Sequence, residues 1–267
     1  MHHHTRWFIY ILLLAFVLLM GCLFKVKLEE PNPYVVAPVQ VPSHNAYYRE
    51  IKTKTVESYV SYDIKYPQFT HVDESFNKSI VDAVTVAKSE FTQYAEDNWK
   101  AYRETSFENG DPGEFPKEPY PFYVKWEPAR VDDDYISFVM RIGGYNGGAH
   151  GFENIISFNY DVTAQKIVTL ADLFPADLNY LKTVSEYSRV ALLKTLSEKV
   201  SLDELATPAE RDAYIVGSIV PMLYAGTEPT LENFSVFTFT DTEVTMYFSQ
   251  YQVAAYVYGE QQVVMPR

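Results

Sequence analysis

One cysteine, Cys22, closes an apolar run that starts at Trp7, and no other thiol occurs in the 267 residues. The chain therefore forms no internal disulfide, and zinc sites built on several thiolates are excluded. Whatever follows Cys22 must be held together by an apolar core alone. With 47% hydrophobic residues and 16% aromatics, there is enough apolar material for one or two cored domains.

The run Trp7–Leu19 is unbroken and leads into Leu19–Met20–Gly21–Cys22. An aliphatic residue at −3 and a small residue at −1 before a cysteine is the pattern of a lipoprotein processing site. The small residue admits the signal peptidase, and the thiol takes its lipid through a thioether bond. This reading predicts a signal peptide over 1–21, lipidation of Cys22, and a mature chain at the outer, extracytoplasmic face of a bacterial membrane. The alternative is an uncleaved anchor over Trp7–Phe24, 18 residues and just long enough to cross. Lys25 and Lys27 on the far side argue against it, since positive charge favours the cytoplasm.

Residues 22–46 read as a tether, because Pro31, Pro33, Pro38 and Pro42 break helices and central strands. Strand chemistry begins near Tyr48, with Ile51–Tyr66 read as one strand closed by Pro67. Phe76, Ile80, Val84, Ala87, Phe91 and Ala95 recur every three or four residues. That spacing predicts a helix from Asp73, its N-cap, to about Arg103. A turn-rich loop spans Glu108–Pro121. Strands follow at Phe122–Trp126, Tyr135–Arg141 and Ile155–Asp161, with Ile167–Leu170 a short extended piece. Asp132–Asp134 is read as a solvated turn, since no calcium-loop pattern follows it. Helices are predicted over Leu178–Val200 and from Pro208 to about Leu223. The chain ends in strands at Phe234–Phe239, Val244–Phe248 and Val263–Met265, with Asp241–Thr242 a hairpin turn.

The formal charge is −13. Such a surface repels nucleic acid, which is not an expected partner, and attracts basic proteins. Beyond the first four residues the histidines are His44, His71 and His150. No pair has helical metal-ligand spacing, no Gly-x-Ser-x-Gly elbow occurs, and no phosphate loop is present. Neither a metal nor a cofactor is expected. His150 is the candidate for chemistry, in the loop Gly143–Gly144–Tyr145–Asn146–Gly147–Gly148–Ala149–His150–Gly151. Glycines there either supply positive φ in a tight loop that His150 packs against, or let a ligand approach the backbone. A base role would need a carboxylate partner, for which Glu153 and Asp161 are the candidates.

Four features carry a family resemblance. They are Gly147–Gly151; Phe158–Asn159–Tyr160–Asp161 with Ile167–Phe174; the helical region after it; and Phe248–Gly259 with Val263–Pro266. From Gly143 onward the chain resembles the extracellular C-terminal domain of the anti-sigma factor RsiV. Tyr48–Met140 is similar to the companion N-terminal region of the deacetylase PdaC. The resemblance to RsiV implies a lysozyme-binding fold. An anti-sigma role is not expected, because no sigma-binding segment precedes Trp7. Nor is the deacetylase activity, because the paired metal histidines and the Thr-Phe-Asp-Asp-Gly type of motif are missing.

The expected fold is α+β, a mixed or antiparallel sheet packed against a few helices, in two similar-sized halves forming one compact unit. The expected segments are 1–21, 22–46, a PdaC-like region 47–141 and an RsiV-like domain 142–267. The expected function is a membrane-anchored binding module of the cell envelope, taking a lysozyme-like muramidase or peptidoglycan. The expected ligand-binding residues are Tyr145, Asn146, Gly147, Gly148, His150, Tyr251 and Tyr256. The alternative is a wall-glycan hydrolase or deacetylase that uses His150.

Overall fold

The structure, a computed structural model, describes residues 43–44, 47–108, 118–145, 147, 150–200 and 207–267; for 43–44 and 102–108 the backbone alone is described. Cys22, Asn146 and Gly148 lie outside the described residues, as do the signal segment and nearly all of the tether.

Alternating burial along Val60–Phe69 and Tyr120–Val124 marks strands with one face on a core. A seven-stranded sheet results, in spatial order β1 to β7. Its strands are β1 (Ser43–His44), β2 (Tyr48–Glu57), β3 (Val60–Phe69), β4 (Tyr120–Val131), β5 (Tyr135–Gly144), β6 (Phe152–Asp161) and β7 (Lys166–Ile167). Neighbours are antiparallel except β3 and β4, which are parallel. A parallel pair needs a long crossover, and helix α1 (Glu74–Glu108) lies in it.

The single strand expected over Ile51–Tyr66 is instead the hairpin β2–β3, turned at Ser58 with φ 31°. Pro67 does not close it. Pro67 pairs with Glu50 inside β3, beyond the last β3–β4 partners, Ile64 and Val124. There β3 has one strand neighbour, the setting in which a sheet tolerates proline.

The predicted apolar face of α1 is the one that packs: Phe76, Ile80, Val84, Phe91 and Ala95 are buried against Tyr62, Ile64, Phe122 and Val124. The helix runs five residues past Arg103. Asp73, just before it, accepts a hydrogen bond from the Tyr160 hydroxyl at 3.3 Å. This core is strongly aromatic. Phe138 stacks on Phe158 at 5.0 Å and Phe76 on Tyr160 at 4.4 Å, each pair contributing about 1 kcal/mol beyond area burial.

A second core begins at Val168 and is mainly aliphatic. Thr169 and Asp172 form a reciprocal capping box over a single turn, Leu170–Leu173. Helix α2 (Tyr180–Lys199) buries Val184, Leu192 and Leu196. Helix α3 (Pro208–Tyr214) has Thr207 as its cap, whose hydroxyl accepts from the Glu210 N–H. It continues through a wide turn, Ile215–Ile219, into α4 (Val220–Gly226). The wide turn ends two residues before Pro221, which cannot donate to the helical ladder. Strands β8 (Phe237–Phe239), β9 (Glu243–Phe248) and β10 (Gln261–Pro266) form an antiparallel sheet over these helices.

The two cores divide the chain further along than the expected boundary at 141/142, which falls inside β5. Ile142, Gly143 and Gly144 pair with β4 on one side and β6 on the other, so the first sheet cannot end at Arg141. The chain passes to the second core after β7.

The small sheet docks its edge strand, β8, on the face of β5 and β6 opposite α1. Ser137 Oγ accepts from the Phe239 N–H at 2.9 Å, and Ser157 Oγ accepts from the Phe237 N–H at 3.1 Å. Asn159 Nδ2 donates to the Phe237 carbonyl at 2.8 Å, while its Oδ1 accepts from Ser137 at 2.7 Å. Side chains of one sheet thus satisfy the free edge of the other. Beside this seam, Arg141 donates twice to Glu260, at 3.0 and 2.9 Å, and once to Glu127 at 2.7 Å. These carboxylates push the guanidinium pKa up against the opposing effect of burial.

Candidate functional site

His150 and Gly151, between β5 and β6, come up against the turn between β9 and β10, so one site draws on both cores. Gly143 and Gly144 are strand residues, and a close approach explains the first. A Cβ on Gly143 would lie 2.5 Å from the Tyr123 hydroxyl and 2.6 Å from the Phe152 carbonyl. Tyr123 crosses that space to donate to Glu153 at 2.7 Å. Burial and then this carboxylate push the phenol pKa up, so it stays a neutral donor. Gly147 has φ 91°, the left-handed conformation expected of the loop.

His150 is stacked on Tyr256, ring centroids 3.9 Å apart. Its Nδ1 lies 2.9 Å from the Gly151 carbonyl and its Nε2 3.4 Å from the Tyr251 hydroxyl. Tyr256 donates to the same carbonyl at 3.2 Å. Tyr251 has φ 68° and is 56% exposed. For a bulky side chain this backbone is strained, at about 1–2 kcal/mol. The next residue holds it there. Gln252 accepts from the Ser249 N–H and donates to the carbonyls of Gly226 and Asn233. A strained turn is thereby clamped so that it presents an aromatic ring to solvent.

A concavity of about 260 Å³ opens beside the ring cluster, lined by Pro121, Tyr123, Tyr145, Gly151, Glu153, Gln250 and Tyr256 among others. Of the expected binding residues, Tyr145 and Tyr256 line it, and His150 and Tyr251 pack beside Tyr256. Gly147 faces Tyr120 instead. Sequence reasoning missed Tyr123 and Gln250. Tyr123 had a readable signal, as the polar-tipped residue between buried Phe122 and Val124.

The carboxylates considered for His150 are engaged elsewhere. Glu153 receives Tyr123 and lies 3.9 Å from Arg141. Asp161 accepts from the Ala164 N–H at the far end of β6. Among the described residues no cluster of three histidine, cysteine or acidic side chains could hold a metal. In the Asp132–Asp134 turn, Asp132 accepts from the N–H groups of Asp134 and Tyr135 and pairs with Arg130. The site offers stacked rings, hydroxyls and a neutral phenol: a surface for holding a polar ring with apolar faces.

Comparison with known proteins follows the same division. Residues 53–153 match the family described as deacetylase PdaC, and residues 171–267 match a family of proteins of unknown function, DUF3298. The chain thus carries a region similar to the PdaC family followed by one similar to DUF3298. A curated relative of the chain is the peptidoglycan-N-acetylmuramic acid deacetylase PdaC of Bacillus subtilis (strain 168). It is 32% identical over 132 residues, which are 49% of this chain and 24% of the relative. The chain thus spans about a quarter of that enzyme's length. A crystal structure of a DUF3298 family member from Bacteroides fragilis superposes with a TM-score of 0.53 at 15% identity, covering 86% of this chain and 89% of the other. The same α+β fold therefore spans both domains. A second DUF3298 structure, from Pseudomonas aeruginosa PAO1, gives 0.45 at 15% identity over 86% and 90%. Among the described residues no helix is long and apolar enough to cross a membrane.

Proposed function

We propose that this chain is a binding module of the bacterial cell envelope, held outside the membrane by a lipid on Cys22, and that its ring cluster takes the glycan of peptidoglycan. The observation that carries the reading is Tyr251, kept in a strained backbone so that its ring stands beside the His150–Tyr256 stack. Strain maintained at an exposed aromatic is a signature of ligand contact. The substrate in the name of the Bacillus subtilis relative supports the choice of ligand. The alternative is glycan hydrolysis or deacetylation through His150. The hydrogen bonds of Glu153 and Asp161 argue against it, since a base needs a positioned partner.

Co-sedimentation of the full chain, in detergent, with purified peptidoglycan tests the proposal. Tyr256→Ala is expected to weaken retention about tenfold. Equal retention of that variant, or glycan products that disappear with His150→Ala, would overturn it. The net charge of −13 favours a second reading, a basic lysozyme-like partner. Retention on immobilised lysozyme at moderate salt supports that reading, and its absence removes it. Labelled palmitate entering the wild type but not Cys22→Ala is the expected result for the anchor.

A further inference from the structure

Among the described residues, nothing covers the face of the large sheet that receives β8 on β5 and β6 where it continues over β2, β3 and the start of β4. There a concavity of about 790 Å³ is lined by four lysines, Lys52, Lys54, Lys65 and Lys125, against one acid, Asp63. That ratio reverses the balance of a chain carrying 35 acidic and 22 basic residues. Lys52 and Lys65 are direct partners across β2 and β3. Lys65 and Lys125 follow the last β3–β4 partners, Ile64 and Val124. Three lysines therefore occupy a row of positions across neighbouring strands, which are about 4.8 Å apart.

Like charges directly opposite one another destabilise a sheet. Among the described residues, two of the three have a carboxylate of their own and the third does not. Lys52 is paired with Glu50 and Lys65 with Asp63 at 3.6 Å. Lys125 lies over the Tyr123 ring at 4.4 Å, and among the described residues no carboxylate is within 4.0 Å of it. Tyr123 and Pro121 line this concavity and the ring site alike. The two concavities meet at this shared wall, aromatic on one side of it and cationic on the other.

We infer that the lysine row is a second subsite, which receives the carboxylates of an extended glycan ligand whose sugar rings meet the Tyr251–Tyr256 end. This rests on the glycan-binding reading above. A carboxylate bridging two lysines turns the repulsion along the row into attraction, and the open sheet face gives a linear polymer room to lie across the strands.

Calorimetry on the full chain in detergent tests it with two probes: a disaccharide-tetrapeptide fragment of peptidoglycan, which carries free carboxylates, and chitotetraose, which carries none. In the variant Lys52→Gln/Lys65→Gln/Lys125→Gln, affinity for the first is expected to fall about tenfold or more. Affinity for the second is expected to be unchanged. Salt should weaken the wild type more than the variant. The Tm of the variant should equal or exceed that of the wild type, so lost binding is not lost folding. The charge-preserving triple Lys→Arg variant should bind within about twofold of wild type. Unchanged affinity of the glutamine variant for the fragment overturns the inference. If Tyr256→Ala still loses both probes, the ring site stands without it. Failure of the wild type to bind either probe removes both. Equal binding of inorganic polyphosphate overturns the assignment to a carboxylated glycan.

Discussion

Across β5 and β6 the sheet's second face is closed by the edge of β8, while across β2, β3 and the start of β4 the same face is open among the described residues and carries lysines. The strands are continuous neighbours, so secondary structure does not set the difference. Side-chain size and charge do. The covered half offers Ser137, Ser157 and Asn159, short polar groups that reach a backbone edge without holding it off. The uncovered half offers long cations that no strand could dock upon without desolvating them. One half is built for permanent closure, the other for a ligand that comes and goes.

The largest effect is expected from breaking the closed half. Asn159→Leu removes the donor to the Phe237 carbonyl and leaves that buried group and Ser137 short of partners. Stability in urea is expected to fall by about 3 kcal/mol; a change under about 0.5 kcal/mol would mean that the seam holds nothing. Arg141→Met, which strands Glu260 beside the seam, is expected to cost about 2 kcal/mol. In a double-mutant cycle with Glu260→Gln, purely additive losses would deny the pairing. Next is the cap at the entry to the second core. Hydrogen bonds from the Thr169 hydroxyl and N–H hold the Asp172 carboxyl below its ordinary value of 3.8. A depressed carboxyl stabilises the fold above its unfolded pKa, and that contribution disappears as pH falls through the lower folded value. Asp172→Asn should therefore cost about 1 kcal/mol at pH 7 and much less in acid below that value, read as converging Tm curves. An equal gap at both ends would refute it. The smallest effect sharpens the open half. Lys65→Thr relieves the row, and a gain of about 0.3 kcal/mol is expected; a loss of that size would show that the lysines stabilise one another's surroundings.

Much of the fold was legible because periodicity reports burial. The i, i+4 spacing from Phe76 to Ala95 located α1 and the face it buries, and Pro208, a proline suited to a first helical turn, located the start of α3. What failed was non-local. Pro67 looked like a strand end because proline's meaning depends on how many neighbours a strand has, which no local window contains. The boundary at 141/142 failed for the same reason, since Arg141 lies inside β5, paired with Lys125 on one side and Ile155 on the other. The Phe158–Asn159–Tyr160–Asp161 string was noticed as a resemblance, but its physical content appeared only in three dimensions. Phe158 fills the aromatic core, Asn159 sews the seam, Tyr160 reaches Asp73 and Asp161 closes a turn. At the site, the glycine loop and the terminal tyrosines could be named from sequence. Their meeting at His150 and the cationic groove beyond could not, because both depend on strand register.

The side chains that cap β8 also bear on inheritance. A gene rearrangement that moved the C-terminal segment alone would carry an unsatisfied strand edge into its new host, a template for indiscriminate self-association. Moving the N-terminal segment alone would bare a strip of hydroxyls, an amide and a half-buried arginine, with nothing to meet them. Recombination between the two is penalised from both sides, so they are expected to travel through genomes as one cassette.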